Sequence, residues 1–229
     1  MNGFRRYLVG ALLLLSAPAC ADETVSVGGG SAVLIRPGAP QASVILMPGG
    51  SGAINAGPGG AIGAGNANQL VRTRQAYAAR GLAVLVVDPS VNLARAVEYM
   101  AAIKRPVTVI ATSRGTLRAA TGIAAGAKPD ALVLTSGALS AQSGSGENVV
   151  AILGSPDKLP PTLIIHHRND GCRVTRPAGV DPFIRWAGGR ARVTWLDGGA
   201  DQGDPCRPWA HHGFNGLDAQ VVSLAAGFH

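Results

Sequence analysis

Short apolar runs alternate with longer stretches of helical spacing along most of this chain. Residues 43–47 are apolar on both faces, as a strand inside a parallel sheet requires. Further runs at 25–27, 32–35, 82–87, 107–111, 131–134, 162–165 and 193–196 predict seven more strands. Between them, apolar positions recur at helical intervals over 69–80, 91–104, 114–125, 182–187 and 217–226. Gly81 closes the first of these helices. Turn residues separate the elements: 28–30 are all Gly, 37–40 form a turn, and 48–66 make a long Gly/Ala/Asn loop. A polar loop surrounds 143–146, and 197–211 is a second long loop. Strands and helices taken in turn predict an α/β domain, with a mostly parallel sheet covered by helices on both faces. The gaps between strands are too small for a large cap, and there is no internal repeat or linker.

Composition narrows this picture. The chain has 229 residues, enough for one domain with a full core and few for two. Its 32 Gly and 15 Pro sit inside an apolar pattern, so they mark turns and not disorder. The formal charge of +7 comes from scattered basic residues, without a Lys/Arg cluster or interleaved aromatics. That excludes a nucleic-acid partner and leaves a generally basic surface that favours anions.

The first 21 residues read as a signal peptide. Arg5 and Arg6 precede an apolar core over 7–15, too short to span a bilayer comfortably. Ala19 and Ala21 fit the small-residue pattern for cleavage after Ala21. Cys20 offers an alternative, since a cysteine close behind such a segment can carry a lipid anchor, though Ala17-Pro18-Ala19 lacks the usual Leu. Membrane attachment is expected only in that case. Residues 22–229 would then be one domain in the periplasm or outside the cell. Two cysteines remain after cleavage, Cys172 and Cys206, and an even count in an exported protein predicts a disulfide. The alternative is two free, buried thiols.

The chemistry gathers at strand ends. The run Val107-Thr108-Val109-Ile110-Ala111 breaks into Thr112-Ser113-Arg114-Gly115, with helical sequence directly after it. A serine there is held on a tight strand-to-helix turn, with its Oγ lifted above the sheet. The helix behind it aims free backbone N–H groups at the same place. A serine hydroxyl is a weak nucleophile and needs a base and an acid. His212, just before the last helix, and Asp170, just after the strand at 162–165, are the candidates. The order Ser, acid, His is the one such a fold requires. A serine that only caps its helix is the plainer alternative. His211 competes for the base, and Asp201 and Asp204 compete for the acid because they lie near His212 in sequence. An Asp-Gly surface turn is the plain alternative for Asp170.

These residues resemble the α/β-hydrolase family, over most of the chain from about Val33 to the C-terminus. Ala111-Thr112-Ser113-Arg114-Gly115 stands where that family has G-x-S-x-G, with Ala for the first Gly. His212-Gly213-Phe214 resembles its H-G-F ending. The resemblance implies a small, cap-less exported serine hydrolase of the esterase type, with Ser113 as nucleophile, His212 as base and Asp170 as orienting acid. It implies an oxyanion hole made by the Arg114 N–H and by Gly50 or Ser51. Those two follow Met47-Pro48, where the family often has His-Gly-Gly and where Pro48 can donate nothing. The Gly-rich run lacks the Lys-Ser/Thr ending of a phosphate loop. His166 and His167 lack partners at metal-ligand spacing, so neither metal nor cofactor is expected. The substrate would be a small or surface-presented ester, thioester, lactone or peptide, since one machinery serves all of these. The alternative of another class is a hydrolase-fold binding protein in the cell envelope that turns nothing over.

Overall fold

The computed structural model describes residues 22–229, so the expectations for residues 1–21, Cys20 included, lie outside the described residues. The chain opens with a hairpin of β1 (Asp22–Val27) and β2 (Gly30–Ile35). Gly28 and Gly29 make its turn at φ of 56° and 84°, a pair of left-handed positions that glycine takes without a Cβ clash. Next come β3 (Ala42–Met47), a two-residue hairpin of β4 (Ala56–Gly57) and β5 (Ala61–Ile62), and two short helices, α1 (Gln69–Arg72) and α2 (Arg74–Ala78). The rest alternates strand and helix: β6 (Leu82–Val87), α3 (Leu93–Ile103), β7 (Val107–Thr112), α4 (Gly115–Ala124), β8 (Ala131–Thr135) and α5 (Val149–Leu153). It closes with β9 (Thr162–His167), α6 (Val180–Ala187), β10 (Ala191–Leu196) and α7 (Asp218–Ala226).

Eight strands form one sheet in the order β1-β2-β6-β3-β7-β8-β9-β10. Pairing is parallel from β6 to β10, and β2 is antiparallel to both its neighbours. Successive side chains point to opposite faces, and each face has its own core. Ile45, Met47, Val109 and Ala111 pack under α3, α4, α5 and α6. Val44, Leu46, Ile110 and Ile165 pack under α1, α2 and α7, with Tyr77 and Phe214 filling the space. The inner strands β3, β6, β7, β8 and β9 are buried along their whole length, which is why they read as unbroken apolar or β-branched runs.

The order of crossovers decides where a site can form. The chain passes from β3 to β6 on one side and returns to β7 on the other. The strand order reverses there, and the crevice beyond the carboxyl ends of β3 and β7 is where such sheets hold ligands. Met47 pairs with Ala111, so the loop after Met47 and the turn at Ser113 leave the sheet side by side.

Three expectations change. The helix expected over 69–80 is broken at Thr73, whose φ and ψ are −99° and 3°. The Thr73 hydroxyl and N–H both donate to the Gln69 carbonyl, a local bond that competes with the helix ladder. The helix α5 lies in a segment whose few turns give no visible period. Asn148 starts it by accepting the Ala151 N–H, and Val149 and Leu153 anchor it in the core. The strand expected at 162–165 runs on to His167, which draws His166 and His167 into the sheet.

Candidate active site

Ser113 leaves β7 at φ 53°, a left-handed conformation that costs a non-glycine residue about 1–3 kcal/mol. Its surroundings hold it there. The Ser113 N–H donates to the Thr135 carbonyl at 3.0 Å, and the Ser113 carbonyl accepts from the Thr116 N–H at 3.0 Å and the Thr116 hydroxyl at 2.6 Å. The turn also needs room behind it. A Cβ on Gly115 would stand 2.3 Å from the Met47 carbonyl oxygen, and one on Gly49 would stand 2.8 Å from the Ser113 Cβ. Both positions require glycine. Ala111, earlier on β7, is fully buried against the α4 side of the sheet, so the methyl fits where a glycine would be usual.

The serine oxygen lies 3.0 Å from His212 Nε2, and His212 Nδ1 lies 3.0 Å from Asp170 Oδ2. His212 is on a short turn of helix (His211–Gly213) before α7. Phe214 anchors that turn in the core at φ 56°. Gly213 is pressed against the chain at Pro208, where a Cβ would lie 2.1 Å from the Pro208 oxygen. Two side chains from elsewhere brace the loop. The Ser136 hydroxyl donates to the His212 carbonyl at 2.8 Å, and Arg72 donates to the Gly213 carbonyl while pairing with Asp218 through two bonds of 2.8 Å.

Asp170 lies in the turn after β9 and is 4% exposed. Its Oδ1 accepts the Cys172 N–H at 2.9 Å, and its Oδ2 accepts from the Thr175 hydroxyl at 3.2 Å. Thr175 Oγ1 is also 3.1 Å from His212 Nδ1. With the proton on Nδ1, His212 donates toward the Asp170–Thr175 pair and presents a bare Nε2 to the serine hydroxyl. That is the tautomer a general base needs.

The rivals stand elsewhere. Asp201 approaches His211 instead, at 3.7 Å, and Asp204 accepts the Cys206 N–H. His211 stacks on His167 with ring centroids 4.1 Å apart. His167 is committed to the backbone, Nε2 donating to the Gly198 carbonyl and Nδ1 accepting the Asn169 N–H. Among the described residues no group of three or more His, Cys, Asp or Glu side chains is placed to hold a metal.

The Arg114 N–H, at the start of α4, and the N–H groups of Gly50 and Ser51 donate to no acceptor among the described residues. Gly50 and Ser51 line the same cleft as Ser113. Arg118, on α4, donates to the Pro48 and Gly50 carbonyls and fixes the loop's orientation. Burial, with Arg114 nearby, lowers the Arg118 guanidinium below its ordinary value. Farther along, the Asp88 carboxylate accepts the N–H groups of Ile54, Asn55 and Ala56, which holds the Gly-rich loop against the end of β6. The resulting cleft, about 440 Å³, runs between residues 64–69, where that loop leads into α1, and residues 206–208, with Ser113 and His212 also lining it.

Cys172 and Cys206 form a disulfide across a sequence separation of 34. It ties the Asp170 turn to the loop before His212, and the Cys172 N–H itself donates to Asp170. A cross-link of this span is worth roughly 2–4 kcal/mol, by a mechanism that is model-dependent. Reduction is expected to lower the melting temperature and to weaken the Asp170–His212 contact first. Any turnover that depends on Asp170 and His212, followed with circular dichroism under increasing reductant, should fall while the fold is intact. Activity that persists in the reduced, folded protein would separate the disulfide from the site.

His166 sits behind Asp170, 4.0 Å from its Oδ2, with Nε2 buried and unbonded among the described residues. Burial lowers its pKa from the ordinary 6.5, and the Asp170 carboxylate opposes that shift only in part. A folded-state value below the unfolded one means that unfolding takes up a proton. The contribution of this histidine to stability is then present above about pH 6.5 and lost as the pH falls toward the folded-state value. His166→Phe should flatten the fall in urea midpoint between about pH 7 and about pH 5. An unchanged slope would assign the acid sensitivity to other groups.

No protein-family model and no curated protein matches the sequence. Solved structures do match in fold. A lid-less α/β serine hydrolase from Xanthomonas campestris superposes with a TM-score of 0.58 at 13% identity, covering 92% of this chain and 96% of that one. An α/β serine hydrolase homologue from Coxiella burnetii gives 0.57 at 16% identity, over 90% and 95% of the two chains. An esterase/lipase from an uncultured bacterium gives 0.60 at 14% identity, over 92% and 84%. The chain therefore has the α/β-hydrolase fold, without a cap, as the resemblance of its motifs implies. At these identities the likeness concerns the fold.

Sequence reasoning does not find Thr175, Ser136, Arg72, Arg118 or Asp88. Arg72 and Asp218 are 146 residues apart, and no local pattern links them. Arg118 reaches the Pro48 and Gly50 carbonyls across 70 and 68 residues, so no local pattern announces it either.

Proposed function

We propose that this chain is an exported serine hydrolase that cleaves a carboxylic ester or a related acyl bond. The observation that carries the proposal is the unbroken line from Ser113 Oγ through His212 to Asp170, with both links at 3.0 Å. Ser113 Oγ attacks the carbonyl carbon as its proton passes to His212 Nε2. The carbonyl oxygen becomes an oxyanion facing the N–H groups of Arg114 and of Gly50 or Ser51. Asp170 and Thr175 stabilise the imidazolium formed. The tetrahedral intermediate collapses to a Ser113 ester, and the alcohol leaves with the proton from His212. Water then repeats the sequence: His212 takes its proton, the acyl carbon is attacked, and the acid and free Ser113 are released. The esterases and serine hydrolases that share the fold support the class of reaction.

Export is supported by the signal-like residues 1–21 and by the disulfide, which favours an oxidising compartment. No helix among the described residues is long and apolar enough to cross a membrane. A panel of p-nitrophenyl esters of increasing acyl length tests the proposal. Hydrolysis above that of a Ser113→Ala control, strongest for short and medium chains in the open cleft, is the expected result. A panel without enzyme-dependent release would overturn it.

A further inference from the structure

A second cleft, also of about 440 Å³, opens on the other side of Ser113. Gly50, Ser113 and Arg114 form one wall, residues 171–174 a second, and residues 204–207 a third. Three exposed arginines line this space, Arg114, Arg173 and Arg207. Each directly follows a residue that the fold fixes. Arg114 follows Ser113, and Arg173 and Arg207 follow the two half-cystines. The disulfide thereby places two arginines from loops far apart in sequence on adjoining walls. Arg207 also borders the first cleft, so it stands where the two meet.

The charge in this cleft is unbalanced. Asp204 is its one lining carboxylate, and it already accepts the Cys206 N–H at 2.8 Å. The arginine ion pairs among the described residues engage Arg72, Arg74, Arg95, Arg105, Arg168 and Arg190, and none of the three cleft arginines. Collecting like charges around a concave surface is unfavourable in the free protein, and the field it creates draws in and holds an anion. Guanidinium groups also match a carboxylate's two oxygens in geometry.

We propose that this second cleft is a specificity subsite for a carboxylate carried on the substrate, so that the preferred esters are anionic. This rests on Ser113 being the nucleophile. The neutral parts of the substrate would then occupy the first cleft, whose lining is mostly Gly, Ala, Asn and Pro, with Arg207 at its border.

The test compares charged esters with neutral ones of similar shape. 4-Nitrophenyl hydrogen succinate carries its charge on the acyl side, and 4-acetoxybenzoate carries it on the leaving-group side. 4-Nitrophenyl valerate and p-tolyl acetate are the neutral partners. The readout is the anionic-to-neutral ratio of kcat/KM in the wild type and in Arg173→Gln, Arg207→Gln and Arg173→Lys. At least one charged ester should lose about tenfold in that ratio in each Gln variant, the scale of one charge-assisted contact. The Lys variant should keep most of the ratio, and added salt should lower it in the wild type. The side on which the effect appears locates the carboxylate. Ser113-dependent hydrolysis with ratios unmoved by either Gln variant overturns the subsite and leaves the serine hydrolase standing. Absence of Ser113-dependent hydrolysis on every ester overturns both.

Discussion

Replacing Ser113 by Ala is expected to reduce hydrolysis of p-nitrophenyl acetate and butyrate by roughly 10⁴- to 10⁶-fold. The far-UV circular dichroism should not change, because the side chain is only partly buried and its backbone bonds to Thr135 and Thr116 survive the substitution. The expected loss is large because in the proposed mechanism the serine supplies the bond-forming atom and the first proton together. In that mechanism, what remains in the variant would come from the oxyanion donors and the cleft acting on water. A variant that also unfolded would say little, and here alanine keeps the Cβ that stands beside Gly49, so the packing of the turn is preserved. Retained turnover in folded Ser113→Ala would place the nucleophile on another residue.

The second large effect separates the histidine and its acid from their neighbours. His212→Ala is expected to be nearly as damaging as Ser113→Ala, since each member of such a unit is needed by the others. His211→Ala should be mild, because His211 faces Asp201 and the His167 ring and not the serine. Asp170→Asn should lower turnover by roughly 10²- to 10⁴-fold. The amide nitrogen introduced by that change would turn a donor toward Nδ1 and favour the tautomer with the proton on Nε2, where it blocks the base. The Thr175 hydroxyl shares the contact with Nδ1, so Asp170→Asn combined with Thr175→Val should fall further than either change alone. Asp201→Asn and Asp204→Asn should be close to wild type on neutral esters. A damaging Asp204→Asn beside a silent Asp170→Asn would reverse the acid assignment.

The residues that can be read from sequence share a physical property: each sits at the end of a strongly patterned element. Ser113 ends a β-branched strand, Asp170 follows another, and His212 precedes the last helix. Strand ends in a parallel sheet converge on one edge, so residues distant in sequence come together there without any local signal between them. The supporting residues lack that property. Thr175 lies five residues past Asp170 in an irregular loop, and its role exists only once His212 is folded against it. Ser136 reaches the His212 carbonyl across 76 residues. The break at Thr73 is invisible in the pattern because apolar spacing continues through it, and only the hydroxyl's bond to Gln69 reveals the kink. The disulfide is legible by counting. That it also sets Arg173 and Arg207 on adjoining walls is not, since their meeting depends on how two irregular loops cross.

The most direct test of the account is the site of covalent capture by a fluorophosphonate, an electrophile that mimics the tetrahedral state at an activated serine. The protein, disulfide intact, is labelled and digested, and the modified peptide is sequenced by mass spectrometry. The account predicts a single adduct on Ser113, greatly slowed in His212→Ala. An adduct on another serine such as Ser51 or Ser136, or no adduct in folded, oxidised protein, would contradict it.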